Sequence, residues 1–303
     1  MGFLLLNKPS GITSFGAVAR VKRLAGEKRV GHTGTLDPMA TGVLPIFIGR
    51  ATALSSYLLE ADKTYIAGIR LGVITDTLDI TGTVTDTMSP YKMGGYTNER
   101  VEKVLTQFCG KQKQRPPMYS AIKKDGVRLY DMARKGISID LPERDIEIFS
   151  ISLTKPLDEN YEFEITCRVS KGTYIRSLCR DIGNALGCGA TLVSLCRTES
   201  SGFDIKDCAD LNALDEKNIK DYIIDEEVAV SHFKAVNVTE KQAIRFSNGG
   251  KLALDRVKIE DCKDREIIRV KYKKRFLGLG TVDLAGGELA IKCIINGYKA
   301  GEN

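Results

Sequence analysis

The sequence predicts a mixed α/β fold dominated by strands and built in two parts. Short runs of alternating or continuous apolar residues, bounded by Gly, Pro or Asp, recur along the chain. Amphipathic stretches that begin at Thr or Ser separate some of them. From Phe233 the pattern tightens into strand, Gly turn, strand, which predicts a β-rich module of about seventy residues, near the lower size limit for independent folding.

The elements follow in chain order. FLLLN reads as a buried strand that enters a turn at Lys8-Pro9-Ser10-Gly11. Residues 13–26 set Val18, Val21 and Leu24 behind a Thr/Ser cap, which predicts a helix. VLPIFIGR, residues 43–50, reads as a strand and Thr52 to Leu59 as a short helix. KTYIAGIRLG alternates as a strand does, VITDTLDITG reads as a loop, and TVTDT as a further strand. A helix is expected from Asn98 to Phe108 with Thr97 as its cap. Pro116-Pro117 stops regular structure in residues 109–135, so an extended loop leading into a short helix is expected there. IEIFSISLTK and YEFEITCRVS read as strands. TYIRSLCRDIGNAL reads as a strand that turns helical after Ser177, and Val193 to Thr198 as another strand. Residues 211–230, LNALDEKNIKDYIIDEEVAV, read as a polar helical connector. After Phe233 come a strand, a short helix ending at a Gly pair, and the strands EIIRVKY, FLGLGTVDL and ELAIKCII.

At 43% hydrophobic and 28% charged residues the composition is that of a globular protein. No run of eighteen apolar residues predicts a membrane span, and MGFLLLNKPSG lacks the basic start of a signal peptide. The eight cysteines form no C-x-x-C pair, and with two histidines they argue against a zinc site. They are read as reduced core fillers of a cytoplasmic protein.

Charge is uneven. Residues 1–135 carry a net +9, residues 136–232 a net −9 and residues 233–303 a net +6. Two basic ends around an acidic middle suggest a polyanionic partner, although a plain solvated surface would produce the same balance. The stretch 109–135 interleaves Lys and Arg with Tyr119 and Tyr130, a pattern suited to phosphate contacts and stacking on unpaired RNA. KYKKRF, residues 271–276, is a second basic run.

The one stretch whose chemistry stands apart is GHTGTLDPMATGVLP, residues 31–45, which holds a single carboxylate, Asp37. It is no phosphate-binding P-loop, because no Lys follows the glycines. One Asp and one His make a poor metal set, and G-x-G-x-x-G is absent. What remains is a lone acid in a loop of small residues, open to a bulky substrate, or simply a turn starter.

That stretch closely resembles the catalytic motif of the TruB-type tRNA pseudouridine synthases. NKPSGITS (7–14), DKTYIAGIRLGVITDTLDITG (62–82), RPPMYSAIKKDGVRLYDMARKG (115–136), VSKGTYIRSLCRDIG (169–183) and GCGATLVSLCRTESSGF (187–203) resemble further family motifs, in the family's order. The resemblance covers nearly all of the first 230 residues, and the last seventy are only weakly similar to a PUA-type RNA-binding module.

The resemblance implies an α+β fold. A mixed, largely antiparallel-sheet catalytic domain would span residues 1–230, with an RNA-binding insertion at about 109–135, and a PUA-like domain residues 231–303. It implies that uridine 55 in the T-loop of tRNA is flipped from its stack, that its N1–C1′ bond breaks, and that C5 rejoins C1′. This isomerisation conserves atoms, so no cofactor and no metal is expected, nor an obligate protein partner. By the same resemblance Asp37 is the catalytic acid, as nucleophile or as base. Tyr65 stacks on the base, and Arg176 pairs with Asp37 and would favour its ionised form. Leu195 is an apolar wall, Tyr174 and Lys8 line the pocket, and His32 stands near the flipped nucleotide. Lys123 and Lys124 belong to the basic insertion as RNA contacts. Two other readings fit the charge pattern: an RNA-binding protein without catalysis, and a synthase that depends on a guide RNA and partners.

Overall fold

The computed structural model describes residues 2–59, 61–120, 123–124, 127–128, 132, 139, 141–299 and 301. Its first part is built on the strands β1 (Gly2–Lys8), β2 (Val30–His32), β3 (Thr41–Ile48), β4 (Lys63–Leu71), β5 (Val73–Thr75), β6 (Val84–Thr87), β7 (Gly110–Gln114), β8 (Lys123–Lys124) and β9 (Val127–Arg128). It continues through β10 (Arg144–Lys155), β11 (Glu162–Val169), β12 (Ala190–Ser200), β13 (Phe203–Asp204) and β14 (Ala209–Asp210). Ten of these form one sheet in the order β14-β1-β3-β12-β4-β11-β10-β7, with β2 on β3 and β13 on β12. Its pairs are antiparallel except β1 with β14 and β3 with β12. The pairs β5–β6 and β8–β9 stand as separate two-stranded ladders.

β1 and β3 are buried along almost their whole length, whereas β4, β11 and β12 turn alternate side chains into the core. Ile69, Phe163, Ile165 and Leu192 are buried to 1% exposure or less, and each such side chain contributes about 1.5–3 kcal/mol on leaving water. The helix Ile175–Leu186 buries Ile175, Leu178, Cys179, Ile182 and Leu186, a stripe at helical spacing, in that core. The helix Asn98–Leu105 adds Val101, Val104 and Leu105, and Thr97 caps it as the sequence implies.

The chain's last part is a five-stranded sheet of order β15-β17-β18-β19-β16. Its members are β15 (Ala235–Asn237), β16 (Leu252–Ala253), β17 (Ile267–Tyr272), β18 (Arg275–Asp283) and β19 (Glu288–Ile294), with the helix Glu240–Ser247 packed against them. This sheet also shares an apolar cluster with the first. Phe276, Leu279 and Ile295 pack with Phe3, Phe47 and Leu54. Glu227, from the acidic middle of the chain, pairs with Arg269 at 2.6 Å and Lys271 at 2.8 Å. Part of the charge asymmetry is therefore neutralised inside the molecule.

Several expectations change. Residues 173–177 hold no strand, because the helix already starts at Ile175. Gly172, at φ 79, and the Thr173 hydroxyl on the Ser170 carbonyl turn the chain just before it. The connector 211–230 is not one helix but three 3-10 turns, Leu211–Ala213, Ile219–Tyr222 and Glu226–Val230. The Asp210, Asp215 and Asp225 side chains each accept a nearby backbone N–H and restart the chain locally. The insertion opens with the paired strand β7, and Lys123–Lys124 form a ladder with Val127–Arg128. Its expected short helix lies outside the described residues, except for Met132, which is helical. The cysteines are free, but only Cys167, Cys179 and Cys188 are buried and Cys109 is exposed, so core filling describes three of the eight. No helix among the described residues is long and apolar enough to cross a membrane.

Candidate active site

The site forms where β3, β12 and β4 lie side by side at the centre of the large sheet. Residues 33–40 cross from β2 to β3 and carry Asp37 over this spot. Their close approach depends on two glycines. Gly42, at φ 105, lies against β12, where a Cβ would stand 2.1 Å from the Arg197 carbonyl oxygen. Gly34, at φ 68, occupies the left-handed region that other residues adopt only at a cost.

NKPSGITS latches this loop. The Ser14 hydroxyl donates to the Leu36 carbonyl at 3.0 Å and accepts the Leu36 N–H at 2.9 Å. The Gly11 N–H reaches the Pro38 carbonyl at 2.9 Å, and the Ser10 hydroxyl the Met39 carbonyl at 3.0 Å. Lys8 is fully buried and its Nζ donates to the carbonyls of Pro9, Ile12 and Pro38 at 2.8, 2.8 and 3.2 Å. Burial brings its pKa down to about 8, Asp37 opposing this and Arg197 adding to it. Lys8 is therefore a brace beneath the loop and not, as expected, part of the pocket wall. Ser14→Ala leaves both Leu36 backbone groups unsatisfied, a cost of about 1–3 kcal/mol. In the activity proposed below it is expected to lower kcat with little change in KM. Urea unfolding and steady-state kinetics on tRNA check this, and an unaltered kcat would show that the latch does not position Asp37.

Arg176, on the first turn of the helix Ile175–Leu186, is 6% exposed and meets both oxygens of Asp37, with a hydrogen bond from Nη2 to Oδ1 at 3.0 Å and an ion-pair contact of Nε with Oδ2 at 2.8 Å. The same guanidinium donates to the carbonyls of Thr77 at 3.0 Å and Tyr119 at 2.8 Å, and stands 3.7 Å from Asp79 Oδ2. The Gln114 side chain clamps the helix start through the Tyr174 N–H and C=O, at 2.9 and 3.1 Å. A bidentate pair of this kind fixes direction as well as charge.

Burial raises the Asp37 pKa above the ordinary carboxylate value. Arg176 opposes the rise, Asp79 adds to it, and Lys8 opposes it weakly. Arg176 therefore acts in the expected direction, favouring the ionised carboxylate, while burial acts against it.

Asp37 faces a cavity of about 290 Å³ lined by Tyr65, Tyr174, Arg176, Leu195, Lys63 and Arg197, among others. Tyr65 and Leu195 are each 7% exposed, on β4 and β12. Burial raises the Tyr174 phenol pKa. His32 does not line this cavity. Its ring meets Phe15 edge-on, and burial, with Arg197 as a second cause, lowers its pKa, which favours the neutral form. Lys123 and Lys124 pair with Arg128 and Val127 in their ladder, and their side chains lie outside the described residues.

The structure adds residues that sequence reasoning did not single out. Arg197, 1% exposed, brackets the Asp37 loop by donating to the carbonyls of Gly34 and Val43, both at 2.8 Å. Its signal was an Arg inside the apolar strand TLVSLCRTES, where a charge must find partners. Asp79, 5% exposed, accepts from the Thr77 and Thr81 hydroxyls. Among the described residues no cluster of His, Cys, Asp and Glu could hold a metal ion.

Residues 22–175 match the family described as TruB family pseudouridylate synthase (N terminal domain). The chain belongs to the TruB family. Residues 176–237 match the tRNA pseudouridylate synthase B C-terminal domain. Among TruB relatives, the tRNA pseudouridine synthase B of Clostridium tetani is 42% identical over 92% of this chain and 94% of that protein. The protein of the same name from Nitrosococcus oceani is 48% identical over 71% of this chain and 68% of that one. A solved structure titled as a Cbf5-Nop10-Gar1 complex superposes at a TM-score of 0.70 with 26% identity, covering 98% of this chain and 84% of that one. An H/ACA RNP bound to a substrate RNA gives 0.71 at 24% identity, over 99% of this chain and 86% of that one, a likeness of fold. The TruB resemblance read from the motifs is thus borne out, and so is the mixed, largely antiparallel fold with its C-terminal β part.

Proposed function

We propose that this chain converts uridine 55 in the T-loop of tRNA to pseudouridine. The observation that carries the reading is one carboxylate, Asp37, held bidentately by a buried arginine and facing a cavity walled by Tyr65, Tyr174 and Leu195. At about 290 Å³ the cavity lies at the small end of ligand sites, which suits a single base and not a dinucleotide. The target base leaves its stack. Its ring lies on Tyr65, and Leu195 and Tyr174 keep water away. Asp37 attacks C1′ or removes the C2′ proton, and either route needs the ionised carboxylate. The N1–C1′ bond breaks and the uracil turns; C5 then bonds to C1′ as the Asp37–C1′ bond breaks or, on the second route, as C2′ takes its proton back, and C5 loses its hydrogen as a proton while N1 takes one up. No cofactor enters this sequence. The relatives named as tRNA pseudouridine synthase B support tRNA as the substrate.

In this reading residues 1–230 carry the chemistry and residues 231–303 are a PUA-like RNA-binding domain, in a cytoplasmic enzyme with no obligate protein partner. Lys123 and Lys124 contact the T-arm backbone. Charge reversal at both is expected to weaken tRNA binding and flatten its dependence on salt, and an unchanged slope removes them from the interface. The test of the function is the purified chain with an unmodified tRNA transcript and nothing else, the product mapped by position. Pseudouridine at 55 is expected. Binding without product would favour an RNA-binding protein or a partner-dependent synthase.

A further inference from the structure

We propose that Phe15 and the basic face of its helix form a second contact surface for the substrate RNA, with an unpaired base flanking the target uridine stacked on the Phe15 ring. This rests on the tRNA reading above. Phe15, at 65%, is the most exposed large apolar side chain among the described residues. It sits on the first turn of the helix Ser14–Leu24, beside the buried stripe of Ser14, Ala17, Val18 and Val21 and outside it.

Its place is tied to Asp37. Ser14, the neighbour of Phe15, is bonded both ways to Leu36, the neighbour of Asp37. The Phe15 ring meets His32 at 5.4 Å between centroids and 80° between planes. The His32 Nδ1 is buried and finds no hydrogen-bond partner in the structure. The imidazole, favoured in its neutral form, offers Phe15 an uncharged flank.

Charge selects the occupant. Residues 13–36 hold five Lys and Arg and one acid, Glu27, whose Oε1 folds back on the Lys28 and Arg29 N–H groups at 2.8 and 3.3 Å. Lys22 follows Phe15 by seven residues, two turns on, so it lies on the same face about 10 Å away. Lys22, Arg23, Lys28 and Arg29 are exposed. A lone exposed ring at the head of a row of cations is the pattern that binds single-stranded nucleic acid, where stacking is indifferent to base identity and phosphates follow the cations. A protein partner would need a wider apolar patch than one ring.

The experiment uses the full chain and a T-arm RNA with 2-aminopurine next to the target, on the 5′ side in one RNA and the 3′ side in another. The chain has no Trp to interfere with the signal. Binding is expected to quench one of the two probes. Phe15→Ala is expected to lose that quenching and to lower kcat/KM by about five- to a hundredfold, the range for one stacked base. Phe15→Tyr should retain both, and Tm should be unmoved by either change. Lys22→Glu with Arg23→Glu should reduce affinity and the salt slope. Quenching and kcat/KM within twofold of wild type in Phe15→Ala overturn the proposal, as does a loss that Tyr fails to rescue. Quenching that depends on Phe15 in a chain that forms no pseudouridine would leave this surface standing and sink the enzymatic reading instead.

Discussion

Asp37→Asn is expected to abolish pseudouridine formation, by about a thousandfold or more, while tRNA affinity stays within a few-fold of wild type. The amide matches the carboxylate in shape but is neither a nucleophile nor a base. Arg176 keeps the Thr77 and Tyr119 carbonyls, at 3.0 and 2.8 Å, so the wall of the cavity stays in place. The RNA contacts proposed at Phe15, Lys123 and Lys124 do not include Asp37, so affinity should not notice the change. The reaction removes hydrogen from C5, so tritium release from tRNA labelled at uridine C5 measures the chemistry and filter binding measures affinity. An Asp37→Asn protein with substantial activity would refute the chemical role. Loss of both activity and binding would point to a damaged fold, which thermal unfolding of the same variant detects.

The second large effect is expected at Arg176. Removing Arg176 leaves a half-buried carboxylate without its cation, and two backbone carbonyls lose their donor as well. Arg176→Lys keeps the charge but cannot span Asp37, Thr77 and Tyr119 together. Misplacement of a reacting group by about 1 Å can cost a hundredfold, so kcat/KM is expected to fall by about that factor. Arg176→Gln removes the charge and leaves Asp79 with Asp37. Burial has already raised the Asp37 pKa, and Arg176 is the main opposing influence. Only the ionised carboxylate acts, so activity is present above its folded-state pKa and is lost as pH falls through it. The acid limb of the wild-type profile should therefore lie above the ordinary carboxylate range, and the limb of Arg176→Gln should lie higher still. Profiles of kcat/KM against pH for the two proteins, each confirmed folded, check this. An acid limb at the same pH in both would show that Arg176 does not govern the charge of Asp37.

Much of the sheet was legible because strands declare themselves by apolar runs and alternation. FLLLN, KTYIAGIRLG and YEFEITCRVS became β1, β4 and β11 with ends shifted by a residue or so. The helix Asn98–Leu105 was legible down to its Thr97 cap. Residues 173–177 misled because TYIRS alternates like a strand, whereas the period of Ile175, Leu178, Cys179, Ile182 and Leu186 is helical over a longer window. The connector misled because its composition suits a helix while its aspartates bind their own backbone. Arg197 carries a sequence signal in its apolar strand, but its partners Gly34 and Val43, like the Thr77 and Thr81 partners of Asp79, come into view only in the fold.

The sequence by itself determined the strand content, the lone acid in its glycine loop, and an ordered set of motifs specific enough to indicate the TruB family. Side-chain period and turn chemistry are local properties, and local properties survive in one dimension. Only the tertiary structure decided that Lys8 braces the Asp37 loop instead of lining the cavity, and that burial and Arg176 act in opposite directions on the Asp37 pKa. It also decided that the C-terminal sheet shares an apolar cluster with the first. Each of these depends on which distant groups come into contact and how much water they displace. Desolvation and long-range pairing are set by the whole packed arrangement, and no stretch of the chain carries them alone.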